Sequence, residues 1–275
     1  MRIQIGYDIE IAVTAPTLLL GVLHLHPSRQ HDLLGEENFR TEPPLPTERY
    51  EDSFGNSVSR IAIPRGISAI RLTNSAVVRD SGLPDQAAPD ALQHALDELP
   101  SEAFQFLLPS RYCDVDSELL GFAWKQFGNT SPGWERVQAI CDYVHHHIHF
   151  DYQTARANRT ALEAWREGTG VCRDFAHLAV TLCRSLNIPA RYTAGYLGDI
   201  GVEPMPSPMD FSAWFEVYLG GHWHTFDARH NRPRIGRIVM GHGRDAADVP
   251  ITMVFGDSQL NRFEVVTEEI ADRVS

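Results

Sequence analysis

Cysteine is scarce in this chain: Cys113, Cys141, Cys172 and Cys183 are the four in 275 residues, and no two form a CxxC pair. That excludes a scaffold built on disulfides and points to free thiols in a reducing compartment. Cys113, Cys141 and Cys183 read as small buried hydrophobes. Long apolar runs are missing too. The most apolar early run, TLLLGVLHL, is too short to cross a bilayer, and the opening MRIQIGYDIE lacks the charged-then-apolar pattern of a signal peptide. The expectation is a soluble, cytoplasmic protein with no membrane partner. Positive charge is short as well, with 24 Lys and Arg against 36 Asp and Glu and a formal net charge of −12. Such a surface repels phosphate backbones, which argues against a nucleic-acid partner. Internal repeats and low-complexity segments are absent from the sequence.

What is present is an ordinary globular composition, 43% hydrophobic, in a chain long enough for one large domain or two smaller ones. The first third reads as β. In RIQIGYDIEIAV, Ile3, Ile5, Tyr7, Ile9, Ile11 and Val13 alternate with mostly polar neighbours, the period of a half-buried strand. Further strands are expected at LLLGVLHLH, SVSRIAIP and SAIRLTNSAVV, with SFGNS as a tight turn. These predict an N-terminal antiparallel β-sandwich over 1–82. A Pro-, Ala- and acid-rich stretch over 83–105 reads as a linker with a short helix. Residues 106–275 read as a second, mixed domain. Its helices are expected in SPGWERVQAICDYVHHHIHF, TALEAWREG and GVCRDFAHLAVTLCRSLNIPARY, the last ended by Asn187-Ile188-Pro189. Strands are expected at ARYTAGYL, AWFEVYL, WHTFDAR, ITMVFG and RFEVVTEEI.

Cys172 is the strongest chemical candidate. It opens a predicted helix straight after GTG, where backbone N–H groups and the helix dipole favour a thiolate. The hairpin SAWFEVYLGGHWHTFDAR supplies the rest. A two-residue Gly220-Gly221 turn pairs 219 with 222, 217 with 224 and 214 with 227. Ser212, Trp214 and Asp227 then share one face, and His224 lies on the other. Asp227 is thus placed to orient a group at position 212. His230, in DARHN, is an accessory candidate. His177 points roughly 140° away from Cys172 at 3.6 residues per turn. His145 and His149 share a predicted helix face, but without a carboxylate they make a poor metal site, and no metal or other cofactor is expected.

GVCRDFAHLAVTLCRSLNIPARYTAGYL followed by DFSAWFEVYLGGHWHTFDARHN resembles the core of the transglutaminase-like superfamily, an α+β, papain-like Cys-His-Asp fold. The N-terminal β region resembles the β-domain that precedes this core in bacterial members. The resemblance implies Cys172 as nucleophile, Asp227 as orienting acid, and acyl transfer or hydrolysis at an amide of a peptide or protein through a Cys172 thioester. The family's histidine falls at Ser212. Imidazole general-base catalysis is worth roughly 10²–10⁴ in rate, and Ser212 has no suitable pKa to replace it. An impaired enzyme is therefore expected, with a catalytically inactive peptide-binding module as the alternative. The backbone N–H of Cys172 is one expected oxyanion donor, and Tyr152 and Trp134 are candidates for the second.

Overall fold

The computed structural model describes residues 1–204 and 209–271; residues 205–208 and 272–275 of the expected second domain lie outside them. The chain opens with β1 (Arg2–Val13), β2 (Thr17–Gly21), β3 (Arg40–Glu42), β4 (Thr47–Glu51), β5 (Ser57–Ile63) and β6 (Ala69–Arg79). After a long irregular stretch come α1 (Glu118–Phe127), α2 (Trp134–His147), β7 (His149–Phe150), α3 (Ala161–Glu167), β8 (Thr169–Gly170) and α4 (Cys172–Ser185). The last third is β9 (Ala190–Tyr196), β10 (Ser212–Leu219), β11 (His222–Phe226), β12 (Ile238–Gly243), β13 (Met253–Val254) and β14 (Ser258–Glu269). The architecture is α+β, as the sequence pattern implied.

The alternation in β1 does what it predicts. Ile3, Ile5, Tyr7, Ile9 and Ile11 are buried, each worth roughly 1.5–3 kcal/mol of transfer free energy. Two four-stranded antiparallel sheets, β14-β1-β6-β3 and β13-β2-β5-β4, share this core. Their outermost members come from the far end of the chain. β14 pairs with β1 in the register Ile3↔Glu269 to Val13↔Ser258, and β13 pairs with β2. A division at 83–105 therefore assigns 253–269 to the wrong half. Those strands are apolar on alternate residues and need a sheet edge, and β1 offers one.

The 83–105 segment is docked along the second half of the chain. Asp85 accepts hydrogen bonds from the Arg234 backbone N–H and from Arg237 Nε, and Gln93 donates to the Leu186 carbonyl. Helix α2 starts at Trp134, later than Pro132 suggests, because Gly133 has φ of +128°. Sequence reasoning missed helix α1, whose Leu119, Ala123 and Phe127 recur at four-residue spacing, and strand β12.

The third sheet, β11-β10-β9-β12, positions the site. Gly220 and Gly221, with φ of +56° and +85°, make the expected two-residue turn. The register is Leu219↔His222 and Val217↔His224, and Ser212 pairs with Gly195 on β9. Helix α4 lies between cores, with Ala176 in the sandwich core and Phe175, Leu178, Leu182 and Leu186 in the helical one. Gly195 is a close-approach position: a Cβ there would stand 2.1 Å from the Ile238 carbonyl oxygen. Gly195→Ala must push β12 off β9 and is expected to cost about 1–3 kcal/mol, the scale of an overpacked core. Urea unfolding followed by circular dichroism checks this, and an unchanged midpoint would refute it.

Candidate active site

The first turn of α4 is held by buried charge. Arg159 Nη1 and the Val171 backbone N–H both donate to Asp174 Oδ2, each at 2.9 Å. Arg159 and Asp174 are buried. Gly170 is needed beside them, since a Cβ there would lie 2.7 Å from the Asp174 carboxylate. This clamp fixes where Cys172, the first residue of the helix, presents its sulfur.

Cys172 is half-buried, and the other three cysteines are buried. Its crevice, about 360 Å³, is lined by Cys172, Asp210, Ser212, Ala213 and Tyr192 among others. Burial pushes the thiol up to about 11; the Arg229 guanidinium and the Ala213 backbone N–H act against this, while Asp210 and Asp174 push further up. Burial thus outweighs the pull of the helix terminus, and the thiol is mostly protonated at neutral pH.

Asp227 directly follows β11. Its Oδ1 accepts the backbone N–H groups of Arg229 and His230, each at 3.0 Å. Its Oδ2 accepts His230 Nδ1 and Arg237 Nη2, each at 2.8 Å. Burial alone would raise its pKa, but the Arg237 charge and the His230 hydrogen bonds outweigh it and hold the carboxyl well below the usual range. Asp227 is thus fully engaged by Arg237, His230 and two backbone N–H groups. The acids that act on Cys172 are Asp210 and Asp174. Ser212 is buried and its Oγ has no hydrogen-bond partner.

A second cavity of about 470 Å³ adjoins the crevice, with Asp210, Phe211 and Ser212 lining both. Tyr152, Arg229 and His230 line it. Tyr152 is brought to the site, lining this cavity beside Arg229. Trp134 is not: it packs on Phe226 at 4.4 Å between ring centres and lines neither cavity. Its place at the start of α2 makes it part of the helical core. His177 is buried, stacked on Tyr112, and accepts the Ala246 N–H. His145 and His149 do not share a helix face, because α2 ends at His147. His145 instead donates to the Arg229 carbonyl at 2.9 Å, and His147 to that of Trp165. No group of three or more metal-ligating side chains is present among the described residues.

Arg229 and Asp210 are the functional candidates that sequence reasoning missed. Arg229 lies over the Phe150 ring at 3.8 Å. Both sit inside stretches already singled out, Asp210 at the start of DFSAWFEVYL and Arg229 in DARHN. A charged residue beside a buried strand end was the available signal.

Comparisons with known proteins bear on the fold that carries this site. Residues 122–228 match the family model described as "Transglutaminase-like superfamily". A crystal structure from Cytophaga hutchinsonii, described as that of a candidate cysteine protease, superposes with a TM-score of 0.85 at 29% identity. That match covers 100% of this chain and 92% of the other. An uncharacterised Mycobacterium leprae protein is 26% identical over 83% of each chain. The mouse kyphoscoliosis peptidase is 29% identical over 48% of this chain and 20% of its own.

Two predictions follow from the charges. A thiol pushed to about 11 ionises as pH rises, so iodoacetamide alkylation of Cys172 should quicken about tenfold per pH unit from 7 to 10. Peptide mass mapping should find Cys172 labelled before the three buried cysteines. A plateau below pH 8, or earlier labelling elsewhere, would contradict this. Asp227→Ala leaves the buried Arg237 short of a carboxylate and should cost about 3–5 kcal/mol in urea unfolding at pH 7. Because the folded pKa of Asp227 is depressed, its contribution is fully present above about pH 4 and fades as pH falls below it. The gap between wild type and Asp227→Ala should therefore narrow in acid.

Proposed function

We propose, starting from the match of residues 122–228 to the transglutaminase-like superfamily, that Cys172 attacks an amide carbonyl of a peptide or protein and forms a thioester. Water or an amine then takes the acyl group. The observation that carries this reading is the placement of Cys172. It stands at the start of α4, in an open crevice that Ser212 and Ala213 also line. The free N–H groups of the first turn of α4 are donors of the kind an oxyanion needs. Tyr152 and its Arg229 partner stand on the same side and can polarise the carbonyl.

The thiol must lose its proton before attack. With a pKa of about 11, roughly one thiol in 10⁴ is ionised at pH 7, and Ser212 cannot accept the proton. The resting enzyme is accordingly slow, and thiolate supply limits it. Ser212 also favours a second reading, a module that binds peptides without turning them over. Four free thiols fit the reducing, cytoplasmic setting that accompanies either reading.

Incubation with a peptide thioester or p-nitrophenyl ester, followed by intact mass measurement, separates the two. The expected result is an acyl adduct on Cys172 that forms about 100-fold faster at pH 9 than at pH 7 and is lost in Cys172→Ala. Ser212→His should raise the pH 7 rate by roughly 10²–10⁴. Iodoacetamide labelling of Cys172 with no acyl adduct at pH 9 would favour the binding module.

A further inference from the structure

The cavity next to the Cys172 crevice has a floor and a rim that the acyl-transfer reading leaves unused. Its floor holds two buried hydroxyls, Ser212 Oγ and Thr267 Oγ1, on side chains 5% and 2% exposed, and neither has a hydrogen-bond partner. A buried hydroxyl left unpaired costs on the order of 1–3 kcal/mol, so a ligand that satisfies both gains it back. The rim is acidic. Asp199, Asp210, Glu268 and Glu269 line the cavity together with Arg229 and Arg234. Arg234 is engaged by the Gly198 carbonyl and Asp199, and Arg229 lies over Phe150. Four carboxylates against two guanidiniums leave a surplus of negative charge, in a chain whose net charge is already −12. Leu197, Ile200 and Phe211 give the walls an apolar stretch.

We propose that this cavity is the subsite for a cationic side chain of a peptide substrate, with arginine preferred. The proposal rests on the reading of Cys172 as a site that engages peptides, and it adds the class of peptide. An aliphatic stem suits the apolar wall, and a planar fork with five N–H donors suits two hydroxyl acceptors and the carboxylates beyond them. The volume of about 470 Å³ exceeds what one such side chain fills. Because Asp210, Phe211 and Ser212 line both cavities, the cationic residue lies beside the amide presented to Cys172. A cation there also offsets Asp210, one of the carboxylates that keeps the thiol protonated. The guanidinium is an anchor and not the acyl acceptor.

The test is calorimetric titration of the full chain carrying Cys172→Ala with three blocked tripeptides. They are acetyl-Ala-Arg-Ala-amide, its isosteric citrulline counterpart and its glutamate counterpart. The arginine peptide should bind at least tenfold tighter than the citrulline peptide, with glutamate weakest. Its advantage should shrink in 0.5 M salt. Asp210→Asn, and separately Glu268→Gln with Glu269→Gln on the exposed rim, should each reduce the arginine preference at least threefold. The rim pair guards against misfolding of the Asp210 variant. Equal binding of arginine and citrulline, preference for glutamate, absence of binding by all three, or a preference untouched by both variants would overturn the proposal. Without the nucleophile, these titrations stand apart from the acyl-adduct experiment, so failure of one is distinguishable from failure of the other.

Discussion

The Arg237 guanidinium, buried between Asp85 and Asp227, is the interaction on which the rest of the site depends. Removing such a charge from water costs several kcal/mol, and the structure offsets it with two carboxylates and the face of Trp214 at 5.0 Å. Each partner comes from a different part of the chain. Asp85 ties down the segment after the sandwich, Asp227 ends β11, and Trp214 lies in the middle of β10. The loop that follows Asp227 is then clamped at both ends. Its N–H groups bond Asp227, and its carbonyls accept from His145 on α2. That loop carries Arg229 and His230, so the orientation of the cationic side of the cleft is inherited from a pair buried behind it.

With its four acceptor positions filled, Asp227 works as a structural keystone. An imidazole at position 212 would have to displace His230 or a backbone N–H to reach it. The thiol answers to other groups. Burial, Asp210 and Asp174 hold it neutral, and Arg229 is the main counterweight. The Arg159–Asp174 pair makes α4 start where it does, and the burial that comes with it works against a thiolate there. Positional precision and nucleophile activation are in conflict at this helix terminus, and in the resting protein precision prevails.

Much of this was legible in the sequence. The period-two pattern of β1, the Gly-Gly turn that sets the β10–β11 register, and the Cys-helix motif all transferred to the structure, because each is a local constraint. The parity argument that set Val217 opposite His224 needed nothing beyond turn length. What could not be read was long-range. No local signal says that β14 returns to pair with β1, or that Arg237 reaches back to Asp85. The misplacement of Trp134 and the missed Arg229 have the same origin. An aromatic at a helix start packs wherever the neighbouring sheet lies, and an arginine one residue from a histidine draws no attention until the loop folds back. The size of the thiol's shift could not be read because a helix terminus is visible in sequence, while the burial that outweighs it is a property of the whole fold.

The strand order has a temporal side. Thr267 and the two glutamates after it belong to β14, and that strand pairs with β1, residue 3 against residue 269. Contacts of such sequence separation form late, and during synthesis they must wait until β14 has left the ribosome. Until then β1 has one free edge, and the wall that β14 contributes beside Cys172 does not exist. A nascent or truncated chain would carry the cysteine on its helix with the neighbouring chamber still open on one side. Docking of β14 is thus the event that encloses the space next to the thiol.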